Sequence, residues 1–174
     1  PAPSHLTNDK AKFQMEQTLY LVRHAHAADF QPDSKRPLSA KGKKQIERIS
    51  SALRGKGLIE PSVIWHSPYL RAIETATLLH EGLGLSVGLE TVDGITPFDD
   101  PSKIAERIDP STEDIMLVGH EPKLSSLTSL LLSGSQSFQC MIFPKTSILS
   151  LTRLKVSDQS TPWQIAWHIS HKHF

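Results

Sequence analysis

Arg23 and His24 form the first pair of side chains whose types and spacing could do chemistry. Arg23 is the last residue of a short apolar run, TLYLVR at 18–23, and His24 follows it. The run predicts a buried strand. A histidine fixed at a strand end can act as nucleophile, base, metal ligand or buried polar group. The arginine beside it offers a planar fork of donors that suits an oxyanion. A salt-bridged arginine next to a structural histidine remains the alternative interpretation.

Arg71 belongs to a second group, SPYLRA at 67–72. Ser67 followed by Pro68 predicts a helix start, with Ser67 as the N-cap residue. A helix start presents free backbone N–H groups and a positive dipole, which together favour anions. We expect Arg71, one turn in, to point back toward that end. The alternative is an exposed Arg71 paired with a carboxylate such as Glu74.

His120 forms the third group, where it follows Gly119 after the apolar run DIMLVG at 114–119. The glycine lets the backbone approach a ligand closely. The helix predicted to begin at Pro122 places His120 at another helix N-terminus. On its own, His120 could be either a helix-capping residue or a site residue.

The strands that carry these groups decide whether they meet. In a doubly wound sheet the carboxyl ends of parallel strands lie along one edge, where ligands bind. The strands predicted at 18–23, 63–66 and 114–119 would bring two arginines, two histidines and Ser67 to that edge. So much positive potential without an anion would be costly. The sequence therefore predicts a pocket for a tetrahedral dianion.

Other chemistries lack their usual patterns. The only cysteine, Cys140, lies far from these groups, and neither H-E-x-x-H nor C-x-x-C occurs. A Walker-type glycine-rich loop is also missing from the sequence. We therefore expect neither a metal nor a cofactor.

Strand and helix signals alternate along the chain, which predicts an α/β fold with a mostly parallel central sheet and helices on both faces. Helices are predicted at 39–54, from Ser67 to the glycines at 82 and 84, at 103–108, and from Pro122 to Gly134. Further strands are expected within 86–95 and at 147–156 and 163–169, the last two as a hairpin. We predict one domain over 18–174, preceded by a flexible N-terminal arm over 1–17.

Composition limits the partners and the compartment. With 19 basic and 18 acidic side chains the formal net charge is +1, so neither nucleic acid nor membrane is expected as the main partner. A local cluster of positive charge remains compatible with this balance. One cysteine cannot form an internal disulfide, and we expect a cytoplasmic protein. The polar start lacks the apolar stretch of a secretory signal, and no apolar run is long enough for a membrane span.

The order of these motifs resembles the histidine phosphatase superfamily, whose first branch includes the cofactor-dependent phosphoglycerate mutases. The resemblance rests on LVRHA at 21–25, SPYLRA at 67–72 and VGH at 118–120. Within the superfamily the chain is most similar to the SixA-type phosphohistidine phosphatases. Three further segments carry that likeness: RPLSAKG at 36–42, ITP at 95–97 and FPKTS at 143–147. The resemblance implies a phosphoglycerate mutase-like fold.

The resemblance also implies roles for the residues. His24 is the expected nucleophile, and an ordinary imidazole pKa near 6.5 leaves it partly neutral. Arg23, Arg71 and His120 are expected to bind the phosphoryl oxygens, with a protonated His120 adding charge. Water then attacks phospho-His24. Many relatives carry glycine and an acid after Arg-His, where this chain has Ala25 and His26; we expect His26 at the pocket rim, beside the substrate.

The leaving group decides the substrate. Phosphomonoesterases of the superfamily use a carboxylic acid after the second arginine, and the candidates here are Asp93, Asp99 and Asp100. The alternative is that these aspartates cap loops and a helix. An imidazole can leave without a dedicated acid, which favours a phosphohistidine on a phosphorelay protein, such as a histidine-containing phosphotransfer domain. A phosphatase for small phosphomonoesters or sugar phosphates, and an inactive phosphate-binding module, stay as alternative functions; a mutase lacks support because the chain has no segments to hold a bisphosphate.

Overall fold

A computed structural model describes residues 14–174. Seven strands form one sheet, in the order β3-β2-β4-β1-β5-β6 with β7 also paired to β5. The strands are β1 (Gln14–Arg23), β2 (Val63–His66), β3 (Gly88–Thr91), β4 (Ile115–Gly119), β5 (Ser147–Val156), β6 (Gln159–Ser160) and β7 (Gln164–Ser170). The helices are α1 (Ala40–Leu53), α2 (Leu70–Leu83), α3 (Pro101–Ile108) and α4 (Lys123–Ser133). Two 3-10 turns, Asp33–Lys35 and His171–His173, complete the described elements.

The sheet is mixed and mostly parallel, as predicted. Strands β3, β2, β4 and β1 pair in parallel, and β5 pairs antiparallel with β1 on one side and with β6 and β7 on the other. The predicted hairpin of the last strands is therefore present, and the short β6, which precedes β7 in the chain, pairs with the far end of β5. Antiparallel pairing of β5 with β1 places the loop before β5 beside the end of β1, where the site lies.

Helices cover both faces of the sheet, which confirms the predicted architecture. Alternate residues of β1 enter different cores: Leu19 and Leu21 pack with α3 and α4, whereas Tyr20 and Val22 pack with α1 and α2. A strand buried on both faces must be apolar at successive positions, and this explains the run LYLV. Residues 1–13 lie outside the described part of the chain, and the strand begins at Gln14, four residues before its predicted start.

The start of α2 differs from the prediction. The helix begins at Leu70 with Tyr69 at its N-cap, so neither Ser67 nor Pro68 belongs to its first turn. The face formed by Leu70, Ile73 and Thr77, at spacings of three and four that predict an inward side, is only half-buried. The buried face instead contains Arg71, Ala72, Thr75, Ala76, Leu79 and Leu83. Because Arg71 belongs to the buried face of α2, its side chain points inward, toward the sheet edge.

Candidate active site

Three aligned strand ends build the site. In the register of the sheet, Arg23 at the end of β1 pairs with Gly119 at the end of β4. His66, the last residue of β2, pairs with Val118. Because β4 lies between β1 and β2, the residue after β4, His120, falls between the residues after the other two, His24 and Ser67. The predicted convergence at one sheet edge is thus what the topology produces.

His24 presents one nitrogen to the site. Its Nδ1 lies 2.7 Å from the carbonyl oxygen of Ala25, to which it donates, and its Nε2 accepts from Nε of Arg71 at 3.2 Å. The ring is buried, with 7% of the residue exposed. Burial, followed by the charges of Arg71, Arg23 and Lys145, lowers the pKa of His24 to about 3. The imidazole is therefore neutral near pH 7, with its lone pair on Nε2.

Arg71 is held by two partners. Besides His24, its guanidinium donates from Nη1 to the carbonyl oxygen of Asp33 at 2.7 Å and from Nη2 to Oδ2 of the same residue at 3.1 Å. Glu74 accepts from the amide of Leu38 instead, so the alternative pairing of Arg71 with Glu74 is wrong. Arg71 lies on the buried face of α2, whereas Glu74 is only half-buried, so the two side chains do not meet.

His120 stacks at a tilt beside His24, with ring centroids 5.1 Å apart. Its Nε2 lies 2.7 Å from Oγ of Ser67, while its Nδ1 is buried without a hydrogen-bond partner among the described residues. Burial, then the charges of His24, Arg71 and Arg23, lowers the pKa of His120 to about 2. Without a ligand His120 is therefore neutral near pH 7, and its protonation beside a bound phosphoryl group stays a prediction.

Ser67 determines which nitrogen of His120 carries the proton. Its Oγ accepts from the amide of Tyr69 at 3.3 Å, so its hydroxyl hydrogen is free to be donated to Nε2 of His120. That arrangement favours the neutral tautomer with the proton on Nδ1, the nitrogen that has no partner among residues 14–174. Ser67, which the sequence brings to the predicted anion pocket as a substrate-binding residue, is a hydrogen-bond partner of His120, and its contact with substrate stays a prediction.

Arg23 carries the second unpartnered donor. Its Nη1 donates to the carbonyl oxygen of Phe143 at 2.5 Å, whereas its Nε is buried and has no partner in the described part of the chain. Burial lowers the pKa of this guanidinium, and the charge of Glu121 opposes that shift. Buried polar groups are nearly always satisfied, so two orphaned donor nitrogens beside one neutral imidazole indicate a site for an anion.

His26 lies outside this cluster. Its Nδ1 lies 2.8 Å from Oγ of Ser39, the N-cap residue of α1, and its ring is half-buried. Burial, then the charges of Lys145, Lys41 and Arg36, lowers the pKa of His26. The structure does not bring His26 into hydrogen-bonding contact with the four core side chains, and its role as a substrate-binding residue stays a prediction.

The three candidate acids have other partners or none. Asp99 accepts from the amide and hydroxyl of Thr96, and Asp100 caps α3 through the amide of Ser102. These hydrogen bonds lower the pKa of both aspartates. Asp93 is exposed in the turn before Gly94. Among the described residues, none of the three aspartates has a hydrogen bond to Arg23, His24, Arg71 or His120. Asp99 stabilises a loop and Asp100 caps a helix, as the alternative interpretation predicted.

Two residues near the site were not singled out from the sequence as site residues. Asp33, in the loop between β1 and α1, forms the ion pair with Arg71, and Arg36 shares its carboxylate at 3.3 Å. Lys145 precedes Thr146, whose amide lies 3.2 and 3.3 Å from the carbonyl oxygens of Arg23 and His24. Asp33 lies three residues before the segment 36–42, and Lys145 lies within the segment 143–147. The likeness of these two segments to the SixA-type proteins was the only sequence signal for either residue.

Within residues 14–174, no group of three or more histidine, cysteine, aspartate and glutamate side chains is arranged to hold a metal ion. In the same residues, no helix combines the length and apolar character that crossing a membrane requires.

Comparison with known proteins adds to this geometry. The family model for the histidine phosphatase superfamily (branch 1) matches residues 19–95. Phosphohistidine phosphatase SixA from Escherichia coli strain K12 is 25% identical over 153 residues, covering 85% of this chain and 92% of the relative.

Solved structures share the fold. The protein histidine phosphatase SixA complexed with tungstate superimposes with a TM-score of 0.78 at 22% identity, over 90% of this chain and 99% of that chain. A mycobacterial glucosyl-3-phosphoglycerate phosphatase has a TM-score of 0.64 at 17% identity, over 87% and 98%. The fold is thus phosphoglycerate mutase-like. With Arg-His at the end of the first strand, a second arginine on α2 and a histidine after β4, the chain is similar to the histidine phosphatase superfamily, branch 1, over the residues that the family model matches.

Proposed function

We propose that this protein is a metal-independent phosphatase that transfers a phosphoryl group from phosphohistidine on a partner protein to His24 and then to water. The observation that carries the proposal is the state of His24: a neutral imidazole whose Nε2 lies 3.2 Å from a guanidinium and whose ring lies 5.1 Å from that of His120. A nucleophile next to preorganised donors is the arrangement that covalent phosphoryl transfer requires.

In the first step, Nε2 of His24 forms a bond to phosphorus while the P–N bond to the substrate imidazole breaks. The departing imidazole takes a proton from solvent and leaves neutral. Arg71, Nε of Arg23 and Nδ1 of His120 bind the non-bridging oxygens and stabilise the loose transition state. The incoming dianion raises the proton affinity of His120, because it reverses the local charge that keeps this imidazole neutral.

In the second step, water attacks the phosphorus of phospho-His24. The P–Nε2 bond breaks, inorganic phosphate leaves, and the imidazole returns to its neutral form. The hydrogen bond from Nδ1 to the carbonyl of Ala25 persists through both steps and keeps Nε2 as the reacting nitrogen.

The choice of phosphohistidine rests on the carboxylates. An alkyl alkoxide leaves poorly without a proton donor, whereas an imidazole leaves readily near neutral pH. Asp99 and Asp100 are held ionised by hydrogen bonds, and the hydrogen bonds that Asp33 accepts from Arg36 and Arg71 keep its pKa below the ordinary value. Among the described residues, Asp33, Asp99 and Asp100 are therefore poor sources of the proton that an alcohol leaving group needs.

The similarity to phosphohistidine phosphatase SixA supports the same substrate class, because it extends over 85% of the chain. The expected partner is a phosphorylated histidine-containing phosphotransfer domain. The competing function, hydrolysis of small phosphomonoesters or sugar phosphates, draws support from the fold shared with glucosyl-3-phosphoglycerate phosphatase. An inactive phosphate-binding module would not need a neutral nucleophile at this position.

The test is release of inorganic phosphate from a phosphorylated histidine-containing phosphotransfer domain, compared with aryl, alkyl and sugar phosphates. We expect the phosphoprotein to be the preferred substrate, with acid-labile phosphate trapped on His24 in a quenched reaction. His24→Ala should abolish both turnover and labelling, while the matched variant His80→Ala retains them. Full turnover by His24→Ala would refute the proposal, and rapid alkyl phosphate hydrolysis that depends on Asp93, Asp99 or Asp100 would favour the competing function.

A further inference from the structure

A row of basic side chains leads away from the site along α1. Lys41, Lys44 and Arg48 are all exposed and follow one another at intervals of three and four residues, so they share one face of the helix. With a rise of 1.5 Å per residue, they extend over about 10 Å. Together with the 3-10 turn at the end of the chain they line a cleft of about 420 Å³, formed by Ala40, Lys41, Lys44, Gln45, Arg48 and His171.

Lys145 joins this cleft to the active site. Its backbone carbonyl lies 3.2 Å from Nδ1 of His171, at the cleft, and the next residue, Thr146, contacts the backbone of His24. Its ammonium group is surrounded by like charges: burial first, then Arg23, Arg36, Lys41 and Arg71, lower the pKa of Lys145. The segment of Lys145 and Thr146 thus contacts the active site at one residue and the cleft at the other.

These cations lack counterions within the described residues. None of Lys41, Lys44, Arg48 and Lys145 has a carboxylate oxygen within 4.0 Å, whereas Arg36, nearby, is paired with Asp29 and Asp33. The acidic residue of the same helix, Glu47, lines a second cleft that Lys44 also borders, but it forms no ion pair with Lys44 and does not line the cleft of Lys41, Arg48 and His171. Because the whole chain has a net charge of only +1, this concentration of positive charge is local.

We infer that the basic strip, defined as Lys41, Lys44, Arg48 and Lys145, is a docking surface for an acidic face of the phosphoprotein substrate beside its phosphohistidine. The inference rests on the proposed function and adds how the substrate protein is selected. Oppositely charged surfaces steer encounter and fix the register of a complex. A single small anion would need converging donors, and those lie at Arg23, Arg71 and His120; the strip instead presents cations in a row, as an extended acidic surface requires.

Docking of this kind has a kinetic signature. Exposed charges at the rim of an interface act mainly on association, and salt screens them over about 10 Å at 0.1 M ionic strength. The strip should therefore lower KM for an acidic phosphoprotein at low salt and leave kcat unchanged. It should have no effect on a small aryl phosphate that reaches only His24.

A pair of synthetic peptides tests the inference. Both carry one phosphohistidine, flanked by glutamates in the first and by glutamines in the second. For the wild type at low salt we expect kcat/KM for the glutamate peptide to exceed that for the glutamine peptide by about tenfold, with the difference disappearing at high salt. Lys44→Glu combined with Arg48→Glu should remove that preference and leave hydrolysis of the glutamine peptide and of aryl phosphate within about twofold.

The matched control is Lys43→Glu combined with Arg54→Glu, which changes the net charge by the same amount at residues that do not line the cleft of Lys41, Lys44, Arg48 and His171. Retention of the preference in this control supports a local surface. Equal rates of the wild type on both peptides, or equal losses in both double variants, would overturn the inference even where phosphohistidine hydrolysis persists.

Failure of the proposed function looks different: neither peptide is hydrolysed. Binding of the glutamate peptide, followed by fluorescence anisotropy, then decides the inference by itself. Binding by the wild type that is lost in Lys44→Glu/Arg48→Glu but kept in the control supports the docking surface, and equal binding by all three proteins overturns it. Tighter strip-dependent binding of single-stranded RNA than of the glutamate peptide would also overturn the assignment to a protein partner.

Discussion

Nε of Arg71 lies 3.2 Å from Nε2 of His24, so one arginine orients the nucleophile while its two terminal nitrogens face Asp33. The position of Arg71 as the second residue of α2 makes this geometry, because the helix starts at Leu70 and turns the side chain toward the sheet. The Nε–H group of Arg71 donates to the lone pair on Nε2 of His24, which is the lone pair that attacks phosphorus. A phosphoryl group that enters the site must accept the hydrogen bonds that Arg71 now donates to Asp33.

The first prediction concerns the shape of Arg71. Arg71→Lys keeps the positive charge but removes the fork that reaches both His24 and the phosphoryl oxygens. Losing one preorganised donor in a buried site typically costs about 100-fold to 1000-fold in kcat, and we expect a loss of that size. Steady-state kinetics on aryl phosphate would measure it, with circular dichroism to verify folding. Arg107→Lys, at an exposed arginine of α3, is the matched control; near wild-type kcat in Arg71→Lys would contradict the proposed role.

Asp33 provides the second prediction. Its carboxylate competes with a phosphate dianion for Arg71, so Asp33→Asn should tighten inhibition by inorganic phosphate. The side chain is about half exposed, with 53% of its surface accessible, so solvent screens the effect. A decrease of about fivefold in Ki, corresponding to about 1 kcal/mol of tighter binding, is expected at low ionic strength. Asn keeps an oxygen for Nη2, and the backbone carbonyl that accepts from Nη1 is unchanged.

Asp29→Asn is the control for that experiment, because Asp29 lies 3.6 Å from Arg36 and does not pair with Arg71. It should leave the Ki for phosphate unchanged. A weaker, not tighter, affinity in Asp33→Asn would show that the carboxylate serves mainly to position Arg71.

Ser67 leads to the third prediction. Its hydroxyl lies 2.7 Å from Nε2 of His120 and favours the tautomer with the proton on Nδ1. Ser67→Ala frees the ring to adopt either tautomer, and we expect kcat to fall about threefold to tenfold, the equivalent of one ordinary hydrogen bond. Long-range ¹⁵N–¹H correlation spectra of the histidine rings should show a mixed tautomer for His120 in the variant. Ser51→Ala, at an exposed position of α1, should change neither kcat nor the spectrum.

Sequence patterns predicted much of this site because parallel strands end together. Arg23, His24 and His120 follow two paired strands, and the apolar runs that mark those strands are unambiguous. The start of α2 was mispredicted because Ser67-Pro68 carries a helix-start signal, while the Ser67 hydroxyl is used by His120 instead. Asp33 could not be assigned, since its partner Arg71 is 38 residues away and nothing local distinguishes an aspartate that reaches the site from one that caps a loop.

The fourth prediction links His24 to stability at acidic pH. The pKa of His24 is about 3 in the folded protein, whereas an unfolded histidine has an ordinary value near 6.5. Between these values the unfolded chain binds a proton that the native site does not accept. The contribution of His24 to the free energy of unfolding is therefore complete above pH 6.5 and is lost as the pH falls below that value. From pH 7 to pH 5 this amounts to about 2 kcal/mol of unfolding free energy.

His24→Asn removes the titrating group and keeps a polar side chain at the position, so its unfolding free energy should fall about 2 kcal/mol less between pH 7 and pH 5 than that of the wild type. Urea denaturation at a series of pH values, followed by tryptophan fluorescence, would measure the difference. A bound dianion stabilises cationic neighbours of the imidazole, so adding phosphate to the wild type should reduce its loss at pH 5, and His24→Asn should respond less to phosphate. Parallel pH profiles for the two proteins would show that His24 is not held neutral by its burial among Arg23, Arg71 and Lys145.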